Sequence, residues 1–120
     1  MATEEETAKM LSFYQNYGER LQEEIEHRRN LLMEMSMSAE AVNSMSSKEM
    51  LMPLGSGIYV RAVLSDKEKV LGSVGAGYFI EKDKDSTVND IKAAMEDEVQ
   101  DIEKINQQLN AVVEKLRAMK

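Results

Sequence analysis

Leu54-Gly55-Ser56-Gly57-Ile58-Tyr59-Val60 is answered twenty residues later by Val74-Gly75-Ala76-Gly77-Tyr78-Phe79-Ile80. Each copy is an apolar residue, a Gly-X-Gly, and three apolar or aromatic residues. The lead-in repeats as well, with Met50 and Leu51 against Val70 and Leu71. Valine, isoleucine and aromatic residues favour an extended, half-buried backbone. Paired glycines permit the positive φ of a tight turn or bulge. The pattern predicts four strands, near 49–54, 57–65, 69–75 and 77–82, arranged as two strand–turn–strand units. About 33 residues cannot bury a core alone, and an isolated hairpin is marginal in water. The stretch must therefore pack against a copy of itself or against a sister chain.

Long helical patterns flank this stretch. Thr3 followed by Glu6 is a capping box, with Glu4 and Glu5 also well placed at the positive end of a helix. Apolar residues then recur at Met10, Tyr14, Tyr17, Leu21, Ile25, Leu32, Met35, Ala39 and Val42, with Arg28 at the seam position between Ile25 and Leu32. This is a heptad seam with one four-residue stutter between Leu21 and Ile25. Gly18 is either a close packing contact or a weak point where the first turns fray; glycine costs about 1 kcal/mol in a helix interior. Ser36, Ser38, Ser44, Ser46 and Ser47 favour turns and place the helix end near 44–47. A helix over 3–46 spans about 60 Å and must project beyond any compact body.

After the strands, Ser86 or Thr87 is the expected N-cap of the second helix, with Asp90 three residues beyond Thr87. Its seam is Val88, Ile91, Met95, Glu98, Ile102, Ile105, Leu109, Val112, Leu116 and Met119. The gaps alternate between three and four, a strong coiled-coil signal. Lys115, Arg117 and Lys120 suit the negative end of a helix over 86–120. The simplest arrangement is an antiparallel coiled coil, with Val42 near Val88 and Met10 near Leu116. It brings Arg28 towards Glu98, and the two polar seam residues either pair and fix register or reach separately to water. The fold class is α+β: a two-helix coiled coil (3–46 and 86–120) with two β-hairpins (49–82) between the helices.

Composition excludes several function classes. The net charge of −7 disfavours a nucleic-acid or anionic-membrane partner. The chain has no cysteine and a single histidine, His27, so neither a thiolate zinc site nor a Cys/His pair is available. The Gly-X-Gly pairs are followed by strands and lack the third glycine of a dinucleotide fingerprint. The acids at 96, 97, 98, 101 and 103 read as a solvated face and lack the Glu-X-X-His spacing of di-metal bundles. No catalytic set, metal or cofactor is expected. No apolar run approaches the ~20 residues of a membrane span, and the acidic start is unlike a signal peptide, so a cytoplasmic protein is expected. Ten methionines are many for 120 residues; they either fill helix seams or serve surfaces that accept many shapes.

What remains is a cluster of large apolar residues at the outer ends of the helices: Met10, Leu11, Phe13, Tyr14 and Tyr17 on the first, Leu116 and Met119 on the second. On the heptad assignment above, Leu11 and Phe13 lie off the seam and are exposed or half-exposed, while the other five pack together. Exposed apolar groups at a fraying end suit the holding of non-native polypeptide.

These motifs resemble the alpha-class subunits of prefoldin. Met52-Pro53-Leu54 before Ser56-Gly57-Ile58-Tyr59-Val60 resembles that family's Val-Pro-Leu segment. Val74-Gly75-Ala76-Gly77-Tyr78-Phe79-Ile80-Glu81-Lys82 resembles its Val-Gly-X-Gly-Tyr-hydrophobic-hydrophobic-Glu-Lys segment. Two hairpins, not one, mark the alpha class. The resemblance implies a hexamer of two alpha and four beta subunits, in which the strands form a β-barrel platform and the coiled coils hang from it. Their ends hold unfolded clients and deliver them to a group II chaperonin without ATP hydrolysis. It implies assembly positions around Leu51, Leu54, Ile58, Val60, Val74, Tyr78 and Ile80, and client-binding positions at the seven helix-end residues named above. The chain is shorter than many members, so shorter coiled coils are expected, and brief helices fit an archaeal member better than a eukaryotic one. A different class of function is a structural coiled-coil protein, joined through its strands into a filament or scaffold.

Overall fold

The computed structural model describes residues 3–119. The element order is α1 (Glu4–Asn43), β1 (Met50–Gly55), β2 (Ile58–Ala62), β3 (Lys69–Gly75), β4 (Tyr78–Asp83) and α2 (Lys84–Ala118). Helix–hairpin–hairpin–helix is the order that the sequence predicts. The chain divides into two compact units. One combines the chain up to Glu34 with the chain from Ala94 onward, and the other is Met35–Ala93.

In the first unit, α1 opens on the expected capping box. The Thr3 backbone N–H donates to Glu6 Oε2 at 3.2 Å, and the Glu6 N–H donates to Thr3 Oγ1 at 3.1 Å. Two otherwise orphaned donors are satisfied reciprocally. The core is Leu21, Ile25, Ile102, Ile105 and Val112, with Tyr14, Tyr17, Leu32, Leu109 and Leu116 packed around it. The helices run antiparallel, as the contacts of Arg28 with Glu98 and Gly18 with Val112 require.

The seam of α2 is the one read from sequence. That of α1 differs in its first turns. Met10, expected on the seam, is exposed, while Leu11, expected beside it, is half-buried, and Gly18 is buried. The inward positions are therefore Leu11, Tyr14, Gly18, Leu21, Ile25 and Arg28, with gaps of three and four throughout. There is no stutter at Leu21–Ile25. The heptad passes through Gly18, whose missing side chain concealed it, and Tyr17 flanks the seam.

The second unit contains the hairpins and the helix segments beside them, where Ala39 and Val88 are buried. Two separate two-stranded antiparallel sheets form, β1–β2 and β3–β4. The turns carry three consecutive positive φ values each, at Gly55, Ser56 and Gly57 and at Gly75, Ala76 and Gly77. With φ near +100° at Gly55 and +97° at Gly75, both bulge positions demand glycine. β2 stops at Ala62 and not at the expected 65. The linker turns at Asp66, whose Oδ1 accepts the Glu68 N–H at 2.8 Å.

The start of α2 also departs from expectation. It begins at Lys84, directly after β4, and neither Ser86 nor Thr87 caps it. The Thr87 hydroxyl donates back to the Asp83 carbonyl at 2.7 Å, one turn inside the helix. The Lys84 N–H instead donates to the Glu68 carbonyl at 2.8 Å, continuing the β3–β4 ladder. An orphan donor of the first turn is thus satisfied by a neighbouring strand. At the other end, α1 stops at Asn43, close to the serine-rich exit, and Lys84 Nζ lies 3.4 Å from the Met45 carbonyl. That cation suits the negative end of a helix whose own last turn has no basic residue. Lys120, expected in the last turn of α2, lies outside the described residues, while Lys115 and Arg117 occupy it.

Candidate functional site

The hairpins carry the larger apolar surface. Thirteen large apolar side chains between Met50 and Ile80 are exposed. They include all seven candidate assembly residues: Leu51, Leu54, Ile58, Val60, Val74, Tyr78 and Ile80. Sequence reasoning missed others of equal exposure, among them Met52, Tyr59, Leu71 and Phe79. The register explains why. Met52 opposes Val60 on one face of the first hairpin, and Pro53 opposes Tyr59 on the other. Ser73 opposes Phe79 on one face of the second, and Gly72 opposes Ile80 on the other. Each face of both hairpins carries exposed apolar side chains. The signal was present in the uninterrupted runs Ile58-Tyr59-Val60 and Tyr78-Phe79-Ile80, which alternate in no simple polar–apolar pattern. An uncovered surface of this extent marks an interaction site.

The polar groups of the hairpins brace them. Lys69 pairs with Asp83 across the open end of the second hairpin, and Arg61 lies 3.5 Å from Glu49 beside the first. The hydrogen bond that Lys69 Nζ donates to the Asp83 carboxylate holds the Lys69 pKa above its ordinary value. Gly72 leaves room for the Lys82 side chain to lie across it; a Cβ there would come within 3.2 Å of Lys82 Cε.

The helix ends of the first unit form the second candidate site. Met10 and Phe13 are its exposed members, at 48% and 57% of their full accessibility. Phe13 meets Tyr14 edge-to-face, with ring centroids 5.4 Å apart, and lies parallel to Tyr17 at 6.1 Å. Tyr14, Tyr17 and Leu116 are half-buried against the core, and Leu11 and Met119 are half-buried too. The structure thus joins Phe13 to the tyrosines in one aromatic ledge. Below it, Gly18 opens a groove of about 380 Å³ lined by Gln15, Glu19, Leu109, Val112, Val113 and Leu116, among others.

Arg28 and Glu98, the polar seam residues, do meet. Arg28 Nη1 donates to Glu98 Oε1 at 3.0 Å and to Asp101 Oδ2 at 3.4 Å, and Nε donates to Glu24 at 3.2 Å. The Glu98 side chain retains only 12% of its accessibility. The hydrogen bonds that Arg28 donates, to Glu24 first and then to Glu98, raise its pKa beyond its already high ordinary value. Among the described residues, no buried side-chain polar atom is left unpartnered. No group of three or more acidic or histidine side chains among them is arranged to hold a metal ion, and no helix is long and apolar enough to cross a membrane.

Comparison with known proteins assigns this architecture. A family model described as "Prefoldin subunit" matches residues 14–120. The chain belongs to the prefoldin family. The prefoldin subunit alpha of Methanococcus maripaludis strain C5 is 35% identical over 100 residues, which cover 82% of this chain and 69% of that one. The subunit alpha of Thermofilum pendens is 32% identical over 117 residues, covering 94% and 91%. Arabidopsis thaliana prefoldin subunit 5 matches 54% of the chain at 38% identity. The class is therefore alpha, and of the archaeal type. Among solved structures, a chain of a filamentous prefoldin from Methanocaldococcus jannaschii superposes with a TM-score of 0.78, covering 93% of this chain and 96% of that one. At 19% identity that likeness establishes the shared fold.

Proposed function

We propose that the chain, over its whole length of 120 residues, is one subunit of a hexameric, ATP-independent holdase in the cytoplasm. Its partners are a second alpha subunit and prefoldin beta-class subunits, joined through the hairpins into a β-barrel platform. Its clients are non-native polypeptides, which it passes to a group II chaperonin. The observation that carries this reading is the exposure of apolar side chains on both faces of both hairpins. Two-stranded sheets with so much bare apolar surface need partners, and a partner that closes the sheet removes its edges.

The client site in this reading is the helix-end cluster, Met10, Leu11, Phe13, Tyr14, Tyr17, Leu116 and Met119. Met10 and Phe13 make first contact because they are already exposed. Adaptable methionine beside rigid aromatic rings suits clients without a common sequence. The test is suppression of aggregation of an unfolded protein by the chain mixed with a beta-class subunit. The double variant M10S/F13S is expected to weaken holding several-fold and to leave the mass of the assembly unchanged. Undiminished holding by that variant rejects this client site.

A second reading has one observation in its favour: the solved relative with matching fold is described as filamentous. In it, the strands join chains into an open filament or scaffold. Light scattering on the chain, alone and with a beta-class subunit, separates the two. A closed particle of hexamer mass on mixing supports the holdase. Open polymers that ignore the added subunit support the scaffold.

A further inference from the structure

The two flanks of the coiled coil differ. Helical spacing puts Gln22 and Arg29 on one side of the α1 seam and Glu24 on the other. Arg28 crosses the Glu24 side with its ion pairs to Glu24 and Asp101. The Gln22 side is open. There the groove beneath Gly18 runs on into a second depression of about 360 Å³, lined by Gln22, Ile25, Glu26, Arg29, Asn106 and Leu109. The two share Gln22 and Leu109, and both lie within the first compact unit.

The groove repeats in heptads. On α1, Gln15, Gln22 and Arg29 follow at intervals of seven; on α2, Val113, Asn106 and Val99 do so in the opposite direction. In antiparallel helices these rows make three layers: Gln15 with Val113, Gln22 with Asn106, and Arg29 with Val99. Met33, one turn beyond Arg29, extends the third. Val99 and Met33 are 50% and 64% exposed, and neither belongs to the seam or to the helix-end cluster. The floor includes Leu109 and Val112, which the missing side chain of Gly18 uncovers. The outer layers are thus apolar at Val113 and at Val99 with Met33, and the middle layer holds two amides.

This period selects the shape of an occupant. Seven residues of helix rise about 10.5 Å. An extended strand presents the same face every two residues, about 6.7 Å, and falls out of step within one repeat. A third helix stays in step, because its own apolar seam recurs at seven. The rims select its charge. Glu19 and Glu26 line the α1 side. On α2, Glu103 and Glu96 stand three residues before Asn106 and Val99, towards the outer face. All four are exposed, and none is in an ion pair with another described residue. Among the described residues that line the groove there is one cation, Arg29.

We propose that this flank docks a basic amphipathic α-helix of a partner protein. The helix sets apolar residues against Val113 and against Val99 with Met33. It sets a hydrogen-bonding residue against Gln22 and Asn106, which fixes register as a polar seam residue does in a coiled coil. Lysine or arginine along both its edges meets the four free carboxylates. The site goes beyond the holdase reading, since its occupant is a formed helix and not a segment without structure.

The probe is a fluorescent, helix-locked synthetic peptide about three heptads long, with leucine in the outer layers, asparagine in the middle one and lysine at both edges. Binding to the full chain is read by fluorescence anisotropy, and the thermal melt of each variant checks its fold. Gln22→Lys, at an exposed position shared by both depressions, sets like charge against the peptide and is expected to weaken binding about tenfold. Gln108→Lys adds the same charge on the other flank and should leave binding unchanged. The part of the binding that Gln22→Lys removes should persist in M10S/F13S and in I58S/I80S, which separates the groove from the helix-end cluster and from the hairpins. A peptide with glutamate in place of lysine should bind about tenfold more weakly, and so should one of the same composition in strict apolar–polar alternation. Absence of binding by the basic helix overturns the proposal. So does an equal loss with Gln108→Lys, or disappearance of the Gln22-dependent part in either double variant. Equal binding by the glutamate peptide or by the alternating one overturns it as well, the latter by making the groove a site for extended polypeptide.

Discussion

Gly18 occupies a seam position, and a methyl group there would find space. An added Cβ meets Val112 Cγ1 at 3.5 Å and Leu109 Cδ1 at 3.8 Å, both ordinary contact distances. Gly18→Ala removes a helix penalty of about 1 kcal/mol, so it is expected to stabilise the chain by roughly that amount, read as a raised denaturation midpoint. Gly18→Leu, the residue a regular heptad favours, overfills the same contact and should destabilise by about 1–3 kcal/mol. Arg28 and Glu98 offer a second test at this scale. Glu98 is nearly buried and bonded to Arg28, so removing either partner strands the other. Arg28→Leu and Glu98→Leu should each lower the melting temperature, and the double variant should recover the loss or exceed the parent. Additive losses in that cycle mean the pair is uncoupled. Because the Arg28 pKa is raised, its contribution is fully present below the unfolded value and is lost only as pH rises through the folded one. A melt series up to mildly alkaline pH should therefore show no loss that depends on Arg28.

Among the elements, the hairpins are held by backbone geometry more than by packing. Gly75, at φ near +97°, tolerates no side chain without strain, which is of order 1–3 kcal/mol for such positions. Gly75→Val is expected to weaken assembly, seen as a shift of the mass distribution to smaller species, with the helical melt little changed. Loss of the helical melt instead would mean that the hairpin is needed to fold the helices. The elements also show what sequence can and cannot reveal. α2 was legible because nine of its ten seam positions are apolar and the helix face is set by local spacing. α1 was legible from Leu21 onward. It was misread earlier because Gly18 has no side chain to mark the seam and Tyr17, beside it, took the place. The start of α2 was misread because its first N–H is satisfied by Glu68, a partner sixteen residues away that no local cap pattern contains. The strands were legible from their repeat, while the full extent of the bare surface required the register.

For the whole molecule, the two apolar sites lie in different compact units, and different variants should silence them one at a time. The hairpin surface is the larger, so the isolated chain is expected to bind an apolar fluorescent dye strongly. Adding a beta-class subunit should then remove most of that signal, because assembly covers the strands and leaves the exposed Met10 and Phe13 free. What persists should fall further with M10S/F13S. Polar replacement on the strands, such as I58S/I80S, should do the opposite: it lowers the dye signal of the chain alone, prevents the mixed particle, and leaves the helix-end cluster unchanged. Holding of clients by a strand variant that no longer assembles would show that one coiled coil suffices. Loss of holding together with loss of the particle would show that client binding depends on several chains acting at once, as expected when each end offers only a few exposed side chains and affinity must come from multivalency.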